Sequence, residues 1–231
     1  RWLAWLGAAG ALLLGSALAA TLLMQRGNTV SVVLLLPHAA SADLPIVQAW
    51  MDAAHEEGLQ VAPMTDDAFM RYGGAQGRIA GVILPDSVHR EASDLLISQL
   101  YDHVHGGGRL LLSFDAGLQA PGLDAFATEV SRFSRLAGVD YAMYRALRDN
   151  TYGDDRVLGS RAAEQLLGLQ PGKLDFKHSV APPLGELTTY GYARLHYPHL
   201  RTQPAAEVAA QVLLQSPAGD VIVARHRFGE D

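Results

Sequence analysis

The sequence has no cysteine, which excludes disulfide scaffolds, thiolate metal sites and cysteine nucleophiles. Lysine is almost missing: Lys173 and Lys177 are the only two, and arginine carries the remaining basic charge. Basic residues are also outnumbered, 18 against 24 acidic ones, for a formal charge of -6. That balance argues against a nucleic-acid partner, which would call for a basic face. No internal repeat is visible. With 49% hydrophobic and 18% charged residues, the chain is too apolar for intrinsic disorder and too aperiodic for a fibre.

Charge is absent from Trp2 to Met24, a run of 23 residues of which 18 are apolar and the other five are Gly, Ser or Thr. At ~1.5 Å per residue a helix of this length spans roughly 34 Å, enough for a hydrocarbon core of about 30 Å. Trp2 and Trp5 suit a membrane interface, and Arg26 closes the other end. Residues 1–26 therefore read as a transmembrane signal anchor. A cleaved signal peptide ending at Ala17-Leu18-Ala19 is the competing reading, although the apolar run continues past that site. Both readings export the remainder. The expected location is the inner membrane, single-pass, with the soluble part in the periplasm and the lipid bilayer as a partner. The chain starts at Arg1 and stops just after a strand signal, so it reads as a piece of a longer protein.

Residues 27–231 form a body of 205 residues with 16 basic and 24 acidic side chains, or -8. That is enough for one sizeable core with a subdomain. Thr29 to Leu36 is a nearly continuous aliphatic run, as in a strand buried on both faces. A helix is expected from about Asp43 to Glu57, then a strand at Leu59 to Ala62 and a weak helix at Asp66 to Tyr72. The unit recurs as strand Ile79–Leu84, helix His89–His105, strand Arg109–Phe114 and helix Leu123–Leu136. This alternation predicts an α/β fold with a doubly wound, mostly parallel sheet over residues 29–140. Residues 141–231 read as a subdomain with one helical patch, Ser160–Leu167. Strands are expected there at Thr188–Tyr197, Val208–Gln215 and Val221–Phe228, with a hairpin turn at Ser216–Asp220. They are expected to extend the parallel sheet in antiparallel fashion.

Ligands of open α/β sheets bind beyond the carboxyl ends of the strands. His38, Asp86 and Asp115 stand there and are the candidate catalytic residues. Turn and helix capping is the plainer role for the same side chains. The alternating stretch Tyr190 to Tyr197 offers Tyr190, Tyr192 and Tyr197 as a surface for sugar rings, with an ordinary half-buried strand as the bland alternative. His196 and His199 have ligand-like spacing, but Pro198 breaks the regular geometry between them. His103 and His105 suit a helix dipole, and His226 reads as solvated. No metal or other cofactor is expected.

The order of elements resembles the class I glutamine amidotransferase-like fold. Gly81 to Pro85 matches that family's strand and proline, and Arg109 to Gly117 stands where the nucleophile turn lies. Asp115 occupies the cysteine position, and a carboxylate forms a poor acyl intermediate, so glutaminase chemistry is not implied. Ser113-Phe114-Asp115-Ala116-Gly117 also resembles the Thr-Phe-Asp-Asp-Gly motif of metal-dependent polysaccharide deacetylases. Ala116 replaces one metal ligand there, and Pro182 replaces the second histidine of the motif beginning at His178. With the membrane run and Leu169 to Leu174, the chain resembles the N-terminal region of bacterial membrane-anchored polysaccharide deacetylase-type proteins. That resemblance implies a catalytic domain beyond Asp231, and polysaccharide and that domain as partners. Three functions are carried forward: a non-catalytic accessory domain, a hydrolase or deacetylase using Asp115 with Asp86 or His38, and a protein-interaction module of a membrane assembly. Asp115 reads as a loop residue, so Asp115→Ala is expected to leave folding nearly intact.

Overall fold

The computed structural model describes residues 31–37, 42–72, 79–86, 88–122, 132–141, 151–154, 156–168, 184–188, 197–205, 208 and 210–228. The first half alternates as expected: β1 Ser31–Leu36, α1 Pro45–Glu56, β2 Val61–Thr65, α2 Asp66–Tyr72, β3 Ile79–Leu84, α3 Asp94–His105 and β4 Arg109–Leu112. The four strands pair in parallel in the order β2-β1-β3-β4. The unbroken aliphatic run of β1 has its cause in this arrangement, because helices cover both faces of the sheet. Val33 and Leu35 point to one side, where Val82, Leu84, Phe69, Leu96 and Leu100 close the core. Leu34 and Leu36 point to the other, against Val47 and the flank of α1. Each fully buried leucine of this sandwich contributes about 1.5–3 kcal/mol through removal from water.

Helix α1 enters through Pro45, whose missing N–H costs nothing in the first turn. Helix α3 is capped by Ser93, whose Oγ accepts the Leu96 N–H at 3.1 Å. The expected start at His89 is corrected to Asp94. Residues 88–93 are instead held as a loop by backbone bonds to the segment after β4, and an apolar stripe alone cannot reveal that competition.

The second half contains α4 Ser134–Ala137, β5 Val139–Tyr141, β6 Thr151–Asp154, β7 Arg156–Ser160, α5 Arg161–Leu166, β8 Leu184–Thr188, β9 Tyr197–Leu200, β10 Thr202–Pro204, β11 Gln211–Gln215 and β12 Val221–Arg225. Its strands are antiparallel, as expected, but they do not extend the parallel sheet. They form a four-stranded sheet in the order β12-β11-β7-β8 and two pairs, β10-β5 and β6-β9. The strands find their hydrogen-bond partners among themselves, around a small core of Val157, Ala163, Leu213 and Leu214. The hairpin turn stands where Pro217 to Gly219 predicted it, closed by Ser216 N–H to the Asp220 carbonyl at 2.8 Å.

Of the expected helix Leu123–Leu136, residues 123–131 lie outside the described residues, and helix is seen at Ser134–Ala137. The strand expected over Thr188–Tyr197 is divided. Thr188 ends β8, Tyr197 opens β9, and residues 189–196 lie outside the described residues. The N-terminal apolar run lies outside them as well. Among the described residues no helix is long and apolar enough to cross a membrane.

Candidate functional site

The carboxyl ends of β2, β3 and β4 collect Asp66, Asp86, His89, Arg90, Ser113 and Asp115 on two facing loops and the start of α2. The loops after β3 and β4 are joined backbone to backbone. Gly117 N–H reaches the His89 carbonyl at 2.8 Å, Gln119 N–H the Arg90 carbonyl at 3.1 Å, and Ala92 N–H the Gln119 carbonyl at 2.9 Å. Gly117 is required by its conformation, at φ 67°, and by space, since a Cβ there would overlap the Phe133 ring.

On this frame each sequence-predicted aspartate is held by a side chain from the other's loop. Ser113 Oγ donates to Asp86 Oδ1 at 3.2 Å. Arg90 Nε donates to Asp115 Oδ2 at 2.9 Å. Asp86 and Asp115 thus stand on neighbouring strand ends, cross-linked in both directions. Their surroundings differ: Asp115 is 1% exposed, whereas Asp86 is half-buried. The loop assignment of Asp115 holds, and its burial and its bond to Arg90 weigh against the expectation that Asp115→Ala leaves folding nearly intact.

The turn after β4 is sharp, and its left-handed residue is Phe114 at φ 41°, one position before Asp115. Such a backbone costs a non-glycine residue about 1–2 kcal/mol. Ser113 N–H to the Leu84 carbonyl at 3.2 Å and Ala116 N–H to the Ser113 carbonyl at 2.9 Å hold it from both sides. The turn directs the Phe114 ring outward, 37% exposed, and Asp115 inward.

Sequence reasoning missed the third pair. His89 is fully buried, and its Nε2 lies 2.7 Å from Asp66 Oδ1 at the start of α2. Among the described residues its Nδ1 has no hydrogen-bond partner. The signal is Pro85-Asp86 followed by His89-Arg90, but the helical reading from His89 onward absorbs His89 and Arg90. The ring nitrogen and the carboxylate form an oriented pair able to hold a proton between them. Among the described residues no third group extends it towards a reacting atom.

Among the described residues, the other predicted side chains do not join this constellation. His38, Tyr190 and Tyr192 lie outside the described residues, as do His178 and Pro182. Tyr197 opens β9 opposite Asp154. His199 is buried 3.7 Å from Asp220 Oδ2, in a knot that also includes Arg201 at 3.8 Å from Asp220 Oδ1. Tyr152 stacks on His199, and the Arg201 guanidinium lies over the Tyr152 ring at 4.3 Å. His226, expected to be solvated, is half-buried with Nδ1 2.9 Å from the Leu136 carbonyl. Burial lowers the His103 pKa from its ordinary value, opposed by a hydrogen bond with the Arg109 backbone. Among the described residues no group of three or more His, Asp or Glu side chains is placed to hold a metal ion.

Comparison with protein-family models, with curated proteins and with solved structures finds no match to this chain.

Proposed function

We propose that the chain is a membrane-anchored, exported accessory domain, without catalysis of its own, of a protein acting on cell-envelope or extracellular polysaccharide. The observation that carries the non-catalytic reading is the state of Asp115. The residue at the nucleophile position of the resembling amidotransferase-like fold is buried and bound by Arg90. A carboxylate so enclosed serves the loop, and a nucleophile or general base needs access to a reacting atom. The uncharged run Trp2–Met24 supports the anchor, and the resemblance to deacetylase-type proteins supports polysaccharide as the class of ligand.

A second reading rests on Asp86 and Asp115 sharing neighbouring strand ends, where one carboxyl could act as acid and the other as base. One experiment separates the two. The full chain in neutral detergent is incubated with insoluble chitin, and both co-sedimentation and acetate release are measured. The accessory reading expects co-sedimentation with no acetate released above the blank. Acetate release abolished by Asp115→Asn would establish the hydrolase instead, and failure to bind chitin or other envelope polysaccharides would remove the accessory role. Alkaline carbonate extraction of membranes tests the anchor, which is rejected if the chain is released.

A further inference from the structure

A cavity of about 1050 Å³ lies between β4 and the C-terminal strands. Pockets for small molecules run roughly from 300 to 1,000 Å³, so the space suits a ligand of that kind. Its walls are apolar: Leu110 and Leu112 of β4, Phe133, Leu136, Leu200 and Ile222 line it. Two large apolar side chains on the lining stay in contact with water, Leu111 at 48% exposure and Phe114 at 37%. Phe114 keeps its place with a left-handed backbone, φ 41°, that opposes an L side chain. Backbone strain of this kind clusters where proteins clamp ligands.

The cavity has a cationic end. Arg109 opens β4 just after α3, and Gly107 and Gly108 beside it also line the cavity. Arg225 closes β12, and Phe228, three residues on, packs its ring against α3, 4.8 Å from Tyr101 and 6.0 Å from His105 between centroids. Both arginines thus belong to the end closed by the last turn of α3. Phe114, Ala116 and Leu118, beyond the carboxyl end of β4, line the other end. Among the described residues neither the Arg109 nor the Arg225 guanidinium is in an ion pair, and no Asp or Glu lines the cavity. Capping α3 does not occupy them either. The Asp102, His103 and Val104 carbonyls already accept the N–H groups of Gly106, Gly108 and Gly107, each at 2.9 Å.

We propose that this cavity binds a single-chain amphiphile, its anionic head held by Arg109 and Arg225 and its acyl chain laid along β4 towards Phe114. A guanidinium holds a carboxylate or phosphate through paired N–H donors. Removal of the acyl chain and of Leu111 and Phe114 from water supplies the affinity. A sugar fits poorly, because its buried hydroxyls would need hydrogen-bond partners. Among the described lining residues Thr202 carries the only hydroxyl, and there is no Asn, Gln, Asp or Glu. Neither Asp86 nor Asp115 lines the cavity, and the proposal does not depend on the polysaccharide reading.

The test is photolabelling of the full chain, held in phosphatidylcholine nanodiscs, with palmitate that carries a diazirine in its chain. Mass spectrometry of the peptides then maps the label. Label is expected on the peptides that contain Leu110 to Phe114 and Phe133 to Val139. Unlabelled palmitate or hexadecyl phosphate should compete it away, and whichever competes at the lower concentration identifies the head group. Hexadecanol, which keeps the chain and lacks the charge, should compete about tenfold or more weakly. The Arg109→Gln/Arg225→Gln double variant should take up about tenfold less label with unchanged far-ultraviolet circular dichroism. Equal competition by hexadecanol would overturn the proposal and leave an apolar cavity without head-group recognition. Competition by acetate at the same concentration as palmitate would also overturn it and leave an anion site alone. Label confined to Trp2–Met24, or no label, would reduce the binding to partition into the bilayer or remove it.

Discussion

Asp115 is buried and His103 half-buried, and burial decides what each does. Asp115 accepts from Arg90, which is itself 45% exposed at the side chain. Removing the carboxylate leaves a cation that water can reach, so the loss is moderate. Asp115→Ala should lower stability by about 1–3 kcal/mol, read as a shift of the urea midpoint with unchanged slope. An unshifted midpoint would return Asp115 to the dispensable loop position that the sequence suggests. For His103 burial holds the folded pKa below the unfolded value of about 6.5. Below about pH 6.5 the unfolded chain takes up a proton that the folded chain resists, so stability falls with pH until the folded value is passed. Urea midpoints at about pH 7.5 and about pH 5.5 should differ less in His103→Gln than in the parent chain.

At the level of elements, the alternation up to β4 was legible from hydrophobic period and chain breakers, although the strand expected at Leu59–Ala62 lies at Val61–Thr65. Ile79–Leu84 is a continuous apolar strand ended by Pro85, and it was read to the residue. The start of α3 was not, because His89 to Ser93 lie on a face compatible with helix. What takes them out of the helix is long-range: the bridge between Glu91 and Gln119 and the buried His89–Asp66 pair. The same kind of information decided the site. Asp86 and Asp115 were visible as strand-end residues, whereas Arg90, Ser113 and Asp66 became recognisable only when the loops met. Phe114 is a further case. Nothing in its residue type signals a left-handed backbone, and its conformation is imposed by bonds to β3 and to Ser113.

Across the whole molecule, the two halves solve the pairing problem separately, and Asp220 is a main fastening of the second half. It is 3% exposed, accepts the Thr202 N–H at 3.1 Å and lies close to both His199 and Arg201. Asp220→Ala removes the buried acceptor of the Thr202 N–H beside an Arg201 that is 45% exposed, and should cost about 1–3 kcal/mol. Hydrogen exchange should then show protection lost in β9 to β12 while β1 and β3 keep theirs. Equal loss in both halves would mean that the sheets unfold as one unit. The sequence by itself determined the parallel α/β half, because hydrophobic period and chain breakers are local properties that survive without tertiary context. It also determined that no thiol chemistry is available. Tertiary structure alone decided that the antiparallel strands form sheets of their own and that Asp115 is buried and bound by Arg90. Pairing partners and burial are set by contacts between residues distant in the chain, which no local pattern encodes.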